Sequence, residues 1–219
     1  MTSSSYELRL LEDNLHAGGR LEMPPDRINR VVYVAHGAIS IGGVQFKDDS
    51  AWHGRGAAVI EAGATGAALW RFELATAGSA VAEAPAKAGA TRVKLASPLA
   101  WPIAEALLVR ADSVAFPPGG CAYLHTHQGP GIRCLIEGGV RIDTHGHSTS
   151  YAPGGAWFEA GPIPVFAQAA ADRASRFIRV MILPARLKGA SSISYVNAED
   201  RDKPKSQSYK IFVDSLIEV

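Results

Sequence analysis

Residues 118–138 read PGGCAYLHTHQGPGIRCLIEG, a His-x-His pair inside an apolar run bounded by glycines. On a strand, residues two apart point to one face, so His125 and His127 can converge on one ion. Tyr123, two residues earlier, is expected on that face as well. A bound transition metal needs at least a third protein ligand. The rest of the chain has to supply it.

The surrounding sequence is strand-like. Runs such as RVVYV (30–34), LLVRADSVAF (107–116) and RFIRVMIL (176–183) are short, rich in β-branched and aromatic residues, and separated by some of the 22 Gly and 13 Pro. That pattern predicts an antiparallel sandwich or barrel. Helix signals are weak: ASPLAWPIAEA (96–106) is expected to hold one turn at most, and AVAEAPAKAGA (80–90) reads as a linker between halves.

With 22 basic and 21 acidic residues the formal charge is only +1, and no basic block offers a nucleic-acid footprint. No apolar run is long enough to span a bilayer, since Glu61, Arg71 and Glu73 interrupt the most apolar region. The first residues, MTSSSYELRLLEDNLH, lack the basic leader and apolar core of a signal peptide. Two cysteines, Cys121 and Cys134, make neither a disulfide framework nor a Cys-rich zinc site. The expectation is a cytoplasmic protein that binds neither nucleic acid nor membrane.

An internal repeat is visible. Gly18-Gly19 match Gly119-Gly120 and Gly37 matches Gly138, all at one offset (138 − 37 = 101). Further on, Ile60-Glu61-Ala62-Gly63 is matched to Phe158-Glu159-Ala160-Gly161, and Arg71-Phe72 to Arg176-Phe177. A duplicated all-β unit follows. The expected divisions are an N-terminal barrel over 1–78, a linker over 79–100, a C-terminal barrel over 101–188, and an extension over 189–219. In that extension NAEDRDKPKSQS (197–208) is an exposed connection and KIFVDSLIEV (210–219) a final strand, pairing with a barrel or with a second subunit.

Gly119, five residues, His125-Thr126-His127, three residues, Gly131, six residues and Gly138 resemble the first motif of the cupin superfamily. The segment 151–168, YAPGGAWFEAGPIPVFAQ, resembles the region of its second motif. The resemblance implies all-β, double-stranded β-helix (jelly-roll) barrels, duplicated as a bicupin. It also implies a metal-dependent enzyme of dioxygenase, lyase or isomerase type, acting on a small organic molecule, with homodimers as the usual assembly. Two departures stand out: Gly131 replaces the first motif's Glu, and no His occupies the second-motif position, where one register puts Phe158 and another Pro164 with Gln168 at the family's Asn. In the N-terminal copy Pro24 and Asp26 stand at the His positions and Arg30 opposite Gly131, so that barrel is expected to be structural.

The candidate metal ligands are therefore His125 and His127, with Glu159 or the neutral Gln168 completing the shell of one divalent transition metal (Fe, Mn, Ni or Zn). Against Glu159 stands its apparent counterpart Glu61, in a copy without the His pair. Tyr123 is a candidate acid or hydrogen-bond donor. Arg133 is a candidate clamp for a substrate carboxylate, the alternative being a surface pair with Glu137 or Asp143. Replacing Glu by Gly131 is expected to open space beside the His pair. His145 and His147 read as turn residues. The alternative function is a non-catalytic small-molecule-binding or sensor protein that has lost the full metal site.

Overall fold

A computed structural model describes residues 6–99 and 105–219. The chain divides near residue 102 into two compact units, both built almost wholly of antiparallel strands. In the first unit the strands are β1 (Tyr6–Leu15), β2 (Arg20–Met23), β3 (Asn29–Ile41), β4 (Val44–Lys47), β5 (Ser50–Arg55), β6 (Ala58–Thr76) and β7 (Gly89–Pro98). Their order is β4-β3-β6-β1-β7, with β2 on β6 and β5 on β3. The second unit has β8 (Leu107–Phe116), β9 (Cys121–His127), β10 (Gly131–Glu137), β11 (Val140–Thr144), β12 (His147–Tyr151), β13 (Ala156–Glu159), β14 (Val165–Ala169), β15 (Ser175–Pro184), β16 (Ile193–Tyr195) and β17 (Ser208–Ile217). They form two five-stranded sheets, β13-β10-β15-β8-β17 and β12-β11-β14-β9-β16. No helix among the described residues is long and apolar enough to cross a membrane.

The repeat begins in register. β1 and β8 start 101 residues apart, as do β2 and β9. The turns before β2 and β9 match bond for bond: Gly19 N–H donates to His16 O and Gly120 N–H to Pro117 O, each at 2.9 Å. Gly37 and Gly138 take φ of 90° and 84°. A Cβ at either would come within 2.4 Å of Gly66 O or 2.3 Å of Ala174 O, so both turns require glycine.

Later the offset grows, and the matches drawn from sequence there need correcting. Ala62 N–H donates to Gly19 O and Ala169 N–H to Gly120 O, which makes Gln168, not Glu159, the counterpart of Glu61. Leu11 stands opposite Arg71 as Asp112 stands opposite Arg179. Arg71 therefore corresponds to Arg179 (179 − 71 = 108), not Arg176. Extra residues between β11 and β14 cause most of the shift (169 − 62 = 107), and one more lies between β14 and β15. Glu159 pairs with Gly131 where Gly54 pairs with Arg30, so the carboxylate belongs to the second unit alone.

Two segments also differ from expectation. Within 79–100, Gly89–Pro98 is a strand paired along β1, and the preceding residues are held by buried arginines rather than free. Arg9 donates to Ser79 O and Ala80 O, and Arg71 to Ala82 O. The turn expected in 96–106 falls partly on residues 100–104, outside the described residues. The segment 189–219 is no appendage: β16 pairs with β9, and β17 runs the length of β8, completing both sheets on one side.

Each unit buries an ionic layer among apolar clusters. In the first, Glu73 receives Arg9 Nε at 2.6 Å and Arg30 Nε at 3.0 Å, and also Arg71 Nη1. Arg71 further binds Asp13 at 2.8 and 3.1 Å, and Arg30 binds Asp26. Removing one member of such a network strands its partners. Glu73→Gln should cost about 3–5 kcal/mol, read as a lower urea midpoint in the full chain. Arg141→Ala, which breaks the exposed Arg141–Asp143 pair, should cost under about 0.5 kcal/mol.

Candidate metal centre

The second unit's interior alternates along its strands. On β8 and β15, Val114, Phe116 and Phe177 join one apolar cluster, while Leu108, Met181 and Leu183 join another. Between them on the same faces lie Asp112 and Arg179, with Arg133 opposite Arg179 across β10. His125 and His127 reach this layer from the facing sheet.

The two imidazoles converge. Their Nε2 atoms are 3.2 Å apart, with the rings edge to face. His125 Nδ1–H donates to Tyr123 O at 2.7 Å, which leaves its Nε2 as a bare lone pair. His127 Nδ1 lies 3.3 Å from Ser192 Oγ. That hydroxyl is also 3.9 Å from Met181 Sδ, so it can donate to His127 or point at sulfur and accept from it. Either His127 tautomer is therefore supported. Burial lowers the pKa of both rings, and Arg133 and Arg179 push His127 further down.

Glu159 Oε2 is 3.6 Å from His127 Nε2 and 2.7 Å from Arg133 Nη2. Its other oxygen accepts from Trp157 Nε1 at 2.9 Å. The contact with Arg133 is not aligned as a hydrogen bond, so Glu159 Oε2 and Arg133 Nη2 are buried with a Coulombic partner and no hydrogen-bonding one. A cavity of about 20 Å³ lies among these side chains, enough for one water-sized occupant. Two anchored imidazole nitrogens and an orphaned carboxylate oxygen, donor types that divalent transition ions take, surround this space, but among the described residues no group of three or more His, Cys, Asp or Glu side chains is arranged to hold a metal ion.

Arg133 is fully buried, not at the surface with Glu137 or Asp143. Its Nη1 donates to Gly131 O at 2.7 Å, and a Cβ on Gly131 would sit 3.0 Å from that nitrogen. The space expected beside Gly131 is thus filled by this guanidinium. Burial pulls the Arg133 pKa down to about 10, with Glu159 opposing and Arg179 reinforcing the shift. The side chain remains charged at neutral pH.

Two candidates lie elsewhere. A β-bulge sets His125 opposite Val165 but Ala122 opposite Ala167. The extra residue breaks the alternation and turns Tyr123 away, its ring instead meeting the ammonium groups of Lys203 and Lys205 at 5.1 and 5.3 Å. Gln168 alternates with the inward Ala167 and Ala169 on β14, and its amide donates to Gly119 O and Gly120 O. It secures the turn before β9. His145 and Gly146, both at positive φ, form the two-residue turn between β11 and β12.

Sequence reasoning missed Asp112, Arg179 and Ser192. Charges at alternating positions of otherwise apolar runs, Arg110 and Asp112 in LLVRADSVAF and Arg179 in RFIRVMIL, were the available signal for the first two. Ser192 carried none.

No family model matches the chain, and no curated protein matches its sequence. Among solved structures it resembles the Lactobacillus farciminis oxalate decarboxylase formate complex, with TM-score 0.65 and 12% identity over 92% of this chain and 82% of that one. A Bacillus subtilis oxalate decarboxylase mutant gives 0.63 and 14% over 91% and 74%. A cupin 2 conserved barrel domain protein from Leptotrichia buccalis gives 0.50 and 12% over 83% and 86%. At such identity the likeness is one of fold: this is an all-β, cupin-type jelly-roll architecture.

The crowding around Gly131 is directly testable. A Cβ at position 131 would meet Val180 O at 2.6 Å and Met181 Cγ at 2.8 Å. Gly131→Ala should therefore destabilise the chain by about 1–3 kcal/mol, measured by urea unfolding.

Proposed function

We propose that the chain is a bicupin whose C-terminal barrel is a metal-dependent enzyme acting on a small organic molecule with a carboxylate or enolisable carbonyl. The observation that carries this reading is the His125–His127 pair, with Nε2 atoms 3.2 Å apart and Nδ1 atoms anchored by Tyr123 O and Ser192 Oγ. Glu159 would be the third ligand, through its orphaned Oε2. The fold lends support, since one of the similar structures concerns the Mn(II) centres of Bacillus subtilis oxalate decarboxylase.

When bound, an Fe, Mn, Ni or Zn ion supplies Lewis-acid or redox chemistry of the kind used by oxygenases, lyases and isomerases. The chain's own residues do the rest. The Tyr123 carbonyl and Ser192 hydroxyl orient the imidazoles. Arg133 holds Glu159 and adds a fixed positive charge that favours an anionic substrate. The apolar clusters on either side keep bulk water out. The reading extends to a cytoplasmic homodimer.

A second reading rests on Arg133 itself. Its guanidinium is a built-in cation beside the His pair, ion-paired to Glu159, and a barrel so arranged is a non-catalytic small-molecule binder. Metal analysis by plasma mass spectrometry separates the two. The enzyme reading expects about one ion per chain in wild type, none in His125→Ala/His127→Ala, and affinity at least about tenfold lower in Glu159→Gln. Wild-type protein that takes up no metal after reconstitution with Mn(II), Fe(II), Ni(II) or Zn(II) ends the enzyme reading and leaves the binder.

A further inference from the structure

The second unit also has a larger, half-open chamber of about 370 Å³ beside the His layer, with Tyr209 and Ile211 exposed at its rim. It opens between β16 and β17, the strands that end the two sheets on one side. Register explains its walls. Ile193 and Tyr195 stand opposite His127 and His125, while Ile211 and Tyr209 stand opposite Asp112 and Val114. Residues directly opposite share a face, so all four turn toward the space between the sheets. Arg179, Ile193 and Tyr209 line both this chamber and the 20 Å³ cavity. They form the partition between them.

The chemistry of the chamber is cationic and short of donors at one point. Among the described residues lining it, Asp112 is the one acid, and Arg179 Nε and Nη2 neutralise it at 2.7 and 2.9 Å. Arg110 is matched by Asp214. Lys205 donates to the backbone carbonyls of Asp200 and Arg201, and the nearby Asp200 carboxylate is ion-paired to Lys203 rather than to Lys205. Asp112 takes Arg179 Nε and Nη2 and leaves the third nitrogen, Nη1, without a hydrogen bond among the described residues. Gln207 is 9% exposed and hydrogen-bonded to the Tyr195 hydroxyl, and its Oε1 is buried with no partner. A buried acceptor left empty costs about 1–3 kcal/mol, which a ligand O–H or N–H recovers. The tyrosine rings hold both cations at the chamber wall: Lys205 Nζ lies 4.2 Å from the Tyr195 ring centre and Arg179 Cζ 5.5 Å from that of Tyr209. The volume falls within the roughly 300–1,000 Å³ of small-molecule sites.

We propose that this side chamber binds a planar organic carboxylate carrying a hydroxyl or amino donor. The acid group lies on Lys205 and Arg179 Nη1, the ring against Tyr195 and Tyr209, and the donor on Gln207 Oε1. That the bound acid is the substrate of the His layer rests on the enzyme reading above; the binding does not.

The probe is 4-hydroxybenzoate, with 4-hydroxybenzyl alcohol as its uncharged counterpart. Both are titrated calorimetrically into the full chain, first with chelator present and then after Mn(II) loading. The acid should bind at least about tenfold more tightly than the alcohol in both states. Lys205→Gln and Gln207→Leu should each weaken the acid by about fivefold or more, with circular dichroism confirming that the variants fold. Equal binding of acid and alcohol, no saturable binding of either, or unchanged affinity in folded Lys205→Gln overturns the proposal. A chain that binds the acid but retains no metal keeps the chamber and removes the enzyme. One that holds metal and ignores the acid does the reverse.

Discussion

Charge buried inside an apolar sandwich constrains everything else in this protein. Taking a guanidinium or carboxylate out of water costs several kcal/mol, which only close, well-directed pairing recovers. Arg179 meets both oxygens of Asp112, and Arg71 both oxygens of Asp13. These pairs bridge adjacent strands, so they also fix register: slipping one strand by a single residue would send its charge to the opposite face. Apolar packing alone tolerates exchange among residues of similar volume. The ion pairs do not.

The two units use this constraint differently. In the first, three arginines converge on Glu73, Asp26 and Asp13 extend the network, and backbone carbonyls of Gly56 and of the segment after β6 take further donors. In the second, Arg179 is similarly tied, but Arg133 and Glu159 meet off-axis and each keeps an orphaned atom. Among the described residues the two imidazoles hydrogen-bond only to each other at Nε2, with Glu159 Oε2 3.6 Å from His127 Nε2. Unmet hydrogen-bonding capacity in a buried layer is costly to keep, and its concentration around one small cavity is what distinguishes the second unit. Under the proposed reading, those open valences are where the ion and its substrate bind.

Much of the fold was legible because glycine reports backbone directly. Gly18-Gly19 and Gly37 recur 101 residues on, since the same turns and the same close approaches demand them. Legibility ended where that offset drifted. The short match of IEAG to FEAG looked better than the true one, in which Gln168 takes the place of Glu61, because four residues carry too little information to locate an insertion. Side-chain direction on β9 was misjudged for another reason: alternation holds only in an unbroken ladder, and the bulge that turns Tyr123 away leaves no residue signature. His125, His127, Arg133 and Glu159 were all readable as candidates. That Arg133 lies where Gly131 has no side chain was not, since it depends on a rotamer rather than on spacing.

The last thirty residues were the least legible and matter most to access. A sheet edge needs covering or breaking, because its open backbone groups invite foreign pairing. Here β16 and β17 end the two sheets on the same side without pairing to each other, and so leave the barrel wall parted. Ile193 and Tyr195 line that parting from one sheet, Tyr209 and Ile211 from the other, and Lys205 and Gln207 lie on the segment between the strands. A closed barrel would seal the His layer behind its ladder hydrogen bonds. With its edges parted, the same layer is separated from the chamber only by the side chains of Arg179, Ile193 and Tyr209. Rotamer changes are much faster than the opening of a sheet. Passage between chamber and cavity is therefore a matter for side chains, and Arg179, tied to Asp112 and stacked over Tyr209, is the member of that partition whose charge an incoming acid would meet.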